Sequence, residues 1–75
     1  MSHHELNARN LLCPMPVIKT QNSVKTLAPG DILTVWATDP GVMADIPAWC
    51  RINGHVLISA EHIAGECKIV LEVGA

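Results

Sequence analysis

"DILTVWATDPGVMADIPAWCRING", residues 31–54, changes its apolar period partway through. As far as Asp39 the side chains alternate, with Leu33, Val35 and Ala37 on one face and Ile32, Thr34, Trp36 and Thr38 on the other. This is the two-residue repeat of a strand. Asp39-Pro40-Gly41 then supplies turn and helix-start chemistry, and Val42, Ile46, Trp49 and Cys50 share one helical stripe. Pro47 is awkward inside a helix, because it has no N–H and its ring crowds the preceding turn. The spacing therefore predicts an irregular first turn, Asp45 as N-cap, and a regular helix from Ile46 to Asn53, stopped by Gly54.

The flanking segments follow the same grammar. "HELNA" (4–8) alternates like a short strand. From Pro14 to Ala28, at about 100° per residue, Val17, Thr20, Val24, Leu27 and Ala28 fall on one side and Met15, Lys19, Asn22 and Thr26 on the other. Pro29-Gly30 ends that helix. "HVLISAEH" (55–62) and "ECKIVLEV" (66–73) read as two strands joined through Ile63-Ala64-Gly65 as a hairpin. The order is βαβαββ. Right-handed crossovers put both helices on one face of a mixed four-stranded sheet, an α/β two-layer sandwich of the α+β kind. Trp36 falls on the other face with Ile32, Thr34, Thr38, Lys68, Val70 and Glu72. It reads either as a contact surface for a partner or second copy, or as a ring partly covered by neighbouring strand side chains.

Composition narrows the function. Residues 1–75 make one small domain without linkers or repeats, with residues 1–4 expected as a frayed tail and His3-His4 as tail or tag remnant rather than a metal site. The five basic residues are scattered and the net charge is −2, which argues against direct nucleic-acid binding. Neither a signal peptide nor an apolar run approaching the roughly 18 residues of a membrane span is expected, so no membrane partner is either. Three cysteines without paired spacing point to free thiols in a reducing cytoplasm. They show no metal-ligand spacing, and no metal or cofactor is expected.

One cysteine stands apart. In "NLLCPMPVIK" (10–19), Cys13 precedes Pro14 and Pro16, whose fixed φ suits a helix start. A thiol at such an N-terminus faces free N–H groups and a positive dipole end, so its pKa is expected below the value of about 8.5 for a free cysteine. The plainer alternative is a small hydrophobe that happens to precede a proline-started helix. Cys50 lies on the inward helical stripe and Cys67 alternates with Ile69, Leu71 and Val73, so both read as core packing.

"LNARNLLCPMPVIKT", "LAPGDILTVWATDPG" and "ADIPAWCRINGH" resemble the TusA/SirA family of small sulfur-carrier proteins, from about Leu6 to Val73. Cys13-Pro14-Met15-Pro16 matches the family's cysteine–proline–any–proline signature position for position. The resemblance implies the βαβαββ sandwich with strand order 1-2-4-3, which makes "KIVLEV" part of an internal strand. It also implies sulfur carried as a persulfide on Cys13, taken from a cysteine desulfurase or rhodanese-type donor and relayed to an acceptor protein. Family destinations include tRNA thiolation and dissimilatory sulfur oxidation. Where the family commonly has aspartate and glycine, this chain has Asn7 and Asn10; asparagine tolerates positive φ, so Asn10 can keep a left-handed turn.

The chemistry expected is nucleophilic transfer on Cys13 by a carrier, not a multi-turnover enzyme with its own substrate pocket. Asp39, Pro40 and Gly41 follow a strand parallel to the first, so their loop is expected beside Cys13, shaping a docking surface. Met15 and Lys19, on the outward helix face, are candidate partner contacts, Lys19 reading equally well as an ordinary solvated lysine. The alternative functions are a thiol–disulfide redox protein, with Cys50 as resolving partner of Cys13, and a non-enzymatic regulatory interaction module.

Overall fold

The computed structural model describes residues 2–74. Six elements follow one another: β1 (His3–Ala8), α1 (Met15–Val24), β2 (Ile32–Ala37), α2 (Val42–Asn53), β3 (Val56–Ile63) and β4 (Glu66–Glu72). The sheet order is β1-β2-β4-β3, with β1 parallel to β2 and β4 antiparallel to both its neighbours. β4 is thus internal, as its apolar content requires.

The period-two reading holds residue by residue in β2 and β4. Leu33, Val35 and Ala37 of β2 and Cys67, Ile69 and Leu71 of β4 are buried on one face. Thr20 and Val24 of α1 and Val42, Ile46 and Cys50 of α2 close over that face. In β3 the alternation is lost: Val56, Leu57 and Ile58 are all exposed, and the pairing with β4 shifts register between Leu57 and Ser59. Among the described residues no helix is long and apolar enough to cross a membrane.

Four boundaries depart from the sequence reading, each for a local reason. α1 ends at Val24, not Ala28. Beyond it the N–H groups of Thr26 and Leu27 bond three residues back, to Ser23 and Val24, and Asp31 Oδ2 takes the Ala28 N–H at 3.0 Å. Ala28 is therefore drawn out of the helix and into solvent.

The same Asp31 corrects the expected fraying. His3 and His4 belong to β1, and Ser2 donates its backbone N–H to Asp31 Oδ1 at 3.1 Å. Met1 lies outside the described residues.

α2 starts at Val42, capped by Gly41, so Asp45 is not its N-cap and Pro47 lies inside the helix. The carbonyls of Asp39, Pro40 and Gly41 accept the N–H groups of Val42, Met43 and Ala44, so the loop itself nucleates the first turn. Pro47 then removes one hydrogen bond, to the Met43 carbonyl, without breaking the helix.

At the far end Gly54 takes positive φ and the His55 N–H bonds the Cys50 carbonyl at 2.9 Å. The β3–β4 hairpin is tighter than expected. Ile63 remains in the strand, and only Ala64 (φ 52) and Gly65 (φ 79) turn, both left-handed as a two-residue hairpin demands.

Trp36, on the helix-free face, is half-buried. Arg9 and Lys68 lie over its ring at 5.1 and 5.5 Å, and its indole N–H donates to Glu5 at 3.0 Å. These long polar chains partly cover the ring, a layer that no helix supplies on this face.

Candidate functional site

Parallel pairing of β1 with β2 brings the ends of both strands to one edge of the sheet, and the loops that leave them meet there. Asn10 makes the turn possible with φ 64, and its N–H donates to Thr38 Oγ1 at 2.9 Å. Three residues later Cys13 arrives beside the β2–α2 loop. Its backbone N–H donates to Asp39 Oδ2 at 2.8 Å, while Asp39 Oδ1 accepts the Gly41 N–H at 2.9 Å. One carboxylate therefore fixes both loops. Its two N–H donors, Gly41 first, hold the Asp39 carboxyl below the usual carboxylate range.

The Cys13 thiol is exposed and donates to Asp45 Oδ2 at 3.3 Å. Asp45, one turn into α2, is not a cap but a neighbour of the sulfur. Its signal was its distance along the chain. Four residues after Gly41, it lies on the first turn of a helix that begins at the Asp39–Gly41 loop.

Gly41 is needed here for space, not for backbone freedom, since its φ is −58. A Cβ on Gly41 would lie 3.2 Å from Cys13 Sγ and 3.3 Å from Asp39 Oδ1.

The electrostatics reverse the sequence expectation. The Cys13 thiol is not made more acidic but is pushed up to about 12. Loss of water around the sulfur is the largest cause, followed by the hydrogen bonds and charges of Asp45 and Asp39. The helix start does not counter them. Pro14, the N-cap of α1, and Pro16 have no N–H to offer, and the Met15 N–H is taken by the Leu12 carbonyl at 3.0 Å. The prolines that stiffen this N-terminus also leave it fewer donors to favour an anion.

Of the expected docking residues, Met15 and Pro40 are exposed beside the sulfur, whereas the Lys19 ammonium is tied to the Asn7 carbonyl at 2.8 Å and serves the junction of β1 with α1. Sequence reasoning missed the exposed Leu12 and Ile18, which flank Cys13 and Met15 with further apolar surface. Cys50 and Cys67 are buried in the core, where burial pushes both thiols up. All three cysteines are free. With its sulfur in the core, Cys50 is not positioned as a resolving partner for Cys13.

Residues 4–73 match the family model described as sulfurtransferase TusA. A protein of Neisseria meningitidis serogroup A, named as a candidate sulfur carrier protein, is 36% identical over 96% of this chain and 97% of its own length. The sulfur carrier protein TusA of Pseudomonas paraeruginosa is 47% identical over 80% of this chain and 76% of its own. The SirA-like protein of Desulfitobacterium hafniense superposes with a TM-score of 0.82 at 19% identity, covering 96% of this chain and 99% of that one, and so shares the fold. The chain belongs to the TusA family of sulfur carriers.

Proposed function

We propose that this member of the TusA family carries sulfane sulfur as a persulfide on Cys13, taking it from a cysteine desulfurase or rhodanese-type donor and relaying it to an acceptor protein. The observation that carries the reading is the exposed Cys13 sulfur, held between two loops at the proline-fixed start of α1, while the other two thiols are buried. In the uptake step Cys13 Sγ forms a bond to the terminal sulfur of the donor persulfide. The donor's S–S bond breaks, its electron pair leaves on the donor thiolate, and the Cys13 proton passes to that thiolate. A donor persulfide and a Cys13 thiol become a donor thiol and a Cys13 persulfide, with no net oxidation. Delivery is the same exchange run onto an acceptor thiol.

Leu12, Met15 and Ile18 form the apolar rim of the proposed docking surface, and Pro40 its opposite lip. Gly41 keeps a Cβ from crowding the Cys13 sulfur. The proposed setting is the cytoplasm, where free thiols persist. Acceptors in tRNA thiolation and in dissimilatory sulfur oxidation are the two destinations to assay. The direct test is intact-mass measurement after incubation with a cysteine desulfurase and cysteine. One added sulfur atom, removable by a reductant and localised to Cys13 by peptide mapping, is expected. A wild-type chain that gains no sulfur overturns the reading.

A further inference from the structure

The site holds an unbalanced charge. Cys13 Sγ lies against the Asp45 carboxylate, and the Cys13 backbone against that of Asp39. Among the described residues no basic side chain is hydrogen-bonded to or ion-paired with either aspartate. The cations that approach this edge in sequence are spent elsewhere: Lys19 on the Asn7 carbonyl and Arg9 on Glu66, at 2.8 Å in both cases. Lys68 lies over Trp36 on the far face of the sheet. The prolines remove N–H groups that would otherwise answer a negative sulfur. Ionising Cys13 in the lone protein would therefore place a third negative charge beside two others, with no basic side chain bonded to either aspartate to offset it.

We infer that Asp45 is a gating residue: it holds the hydrogen of the Cys13 thiol in the unpartnered protein, so that sulfur uptake is fast only from a donor that brings positive charge to the Asp39–Asp45 pair. The inference rests on the carrier reading above and adds to it the chemistry of the donor's reacting end. Exchange at sulfur requires the thiolate. A lysine, arginine or ammonium group set against Asp45 satisfies the carboxylate, relieves the repulsion and frees the sulfur to attack, and the released proton goes to the leaving donor thiolate. An exposed cysteine guarded in this way stays inert towards neutral and anionic disulfides while it waits. The raised thiol pKa agrees with the geometry.

Small disulfides test the gate without a protein partner. Cys13 modification by cystamine, which carries two ammonium groups, is compared with modification by neutral bis(2-hydroxyethyl) disulfide. Each rate is divided by that reagent's rate with N-acetylcysteinamide, and the site is confirmed by peptide mapping. The wild type should favour cystamine by about tenfold, the size expected for opposed charges a few ångströms apart at a wet surface. Asp45→Asn should lower that preference by about threefold or more and speed the neutral reagent, while Asp45→Glu should retain the preference. Equal normalised rates in the wild type, or an undiminished preference in Asp45→Asn, overturns the gate. Asp45 is exposed, so its replacement leaves the core intact.

A separate arm follows sulfur uptake from cysteamine persulfide by intact mass. Uptake without any charge preference sinks the gate and leaves the carrier reading standing. A charge preference without uptake sinks the carrier reading and leaves the gate.

Discussion

Cys13 and Cys50 both have thiols held above their ordinary pKa, by opposite arrangements. Cys50 sits on the inward stripe of α2, where loss of water is the sole cause. Cys13 is on the surface. There the same loss of water is joined by two aspartates that reach it from the β2–α2 loop and the first turn of α2. The difference lies in what can be undone. No partner can lift Cys50 out of the core without unfolding the sheet–helix interface. Carboxylates at a surface can be neutralised by any cation that docks there. A thiol that is raised by charge and still exposed is controllable; one raised by burial alone is inert.

The strongest break in that comparison is Cys13→Ser. Serine keeps a hydroxyl donor for Asp45 and the backbone N–H for Asp39, so thermal stability should stay close to wild type while sulfur loading falls to nothing by intact mass. Loading that survives would place the sulfur on another residue.

Next in size is the reactivity of the thiol itself. Cys13 should alkylate with iodoacetamide more slowly than a free thiol at pH 8, despite its exposure. In Asp45→Asn the midpoint of its alkylation–pH curve should move from about 12 towards 9.0. A wild-type midpoint at or below that of a free cysteine would restore the helix-dipole account and remove the aspartates from it.

The same shift has a stability consequence of fixed sign. The folded pKa of Cys13 lies above the unfolded one, so its contribution is fully present below about pH 9. It is lost as pH rises from 9.0 towards about 12. Alkaline melts should therefore fall less steeply for Cys13→Ser than for wild type. Asp39 runs the other way: its lowered pKa adds stability above the ordinary carboxylate range, lost as pH falls through it.

The smallest effect sharpens the other side of the comparison. Cys50→Ala should cost about 1 kcal/mol in chemical denaturation, for one buried sulfur-sized group, and leave loading unchanged. A folded Cys50→Ala protein that no longer loads would mean that the two cysteines are not separate in function.

Much of this was legible in the sequence because it is local. The alternation of Leu33, Val35 and Ala37, the α2 stripe through Ile46 and Cys50 and the Gly54 stop each depend on residues a few positions apart. The strand order came with the family resemblance, and the sheet bears it out. The proline-flanked Cys13 could be singled out for the same reason, since fixed φ and missing N–H groups are properties of the residues themselves.

The charge state of that cysteine was not legible. It depends first on loss of water around the sulfur and then on Asp45 and Asp39, 32 and 26 residues further along the chain, which reach the sulfur only because β1 and β2 pair in parallel and open both loops at one edge. From sequence, Asp45 was a plausible helix cap and Cys13 a plausible thiolate at a helix start; both readings used only neighbours in the chain. Electrostatic influence falls off with distance through space. Local sequence singled out Cys13 among the three cysteines, and only the fold brings the two aspartates to its sulfur.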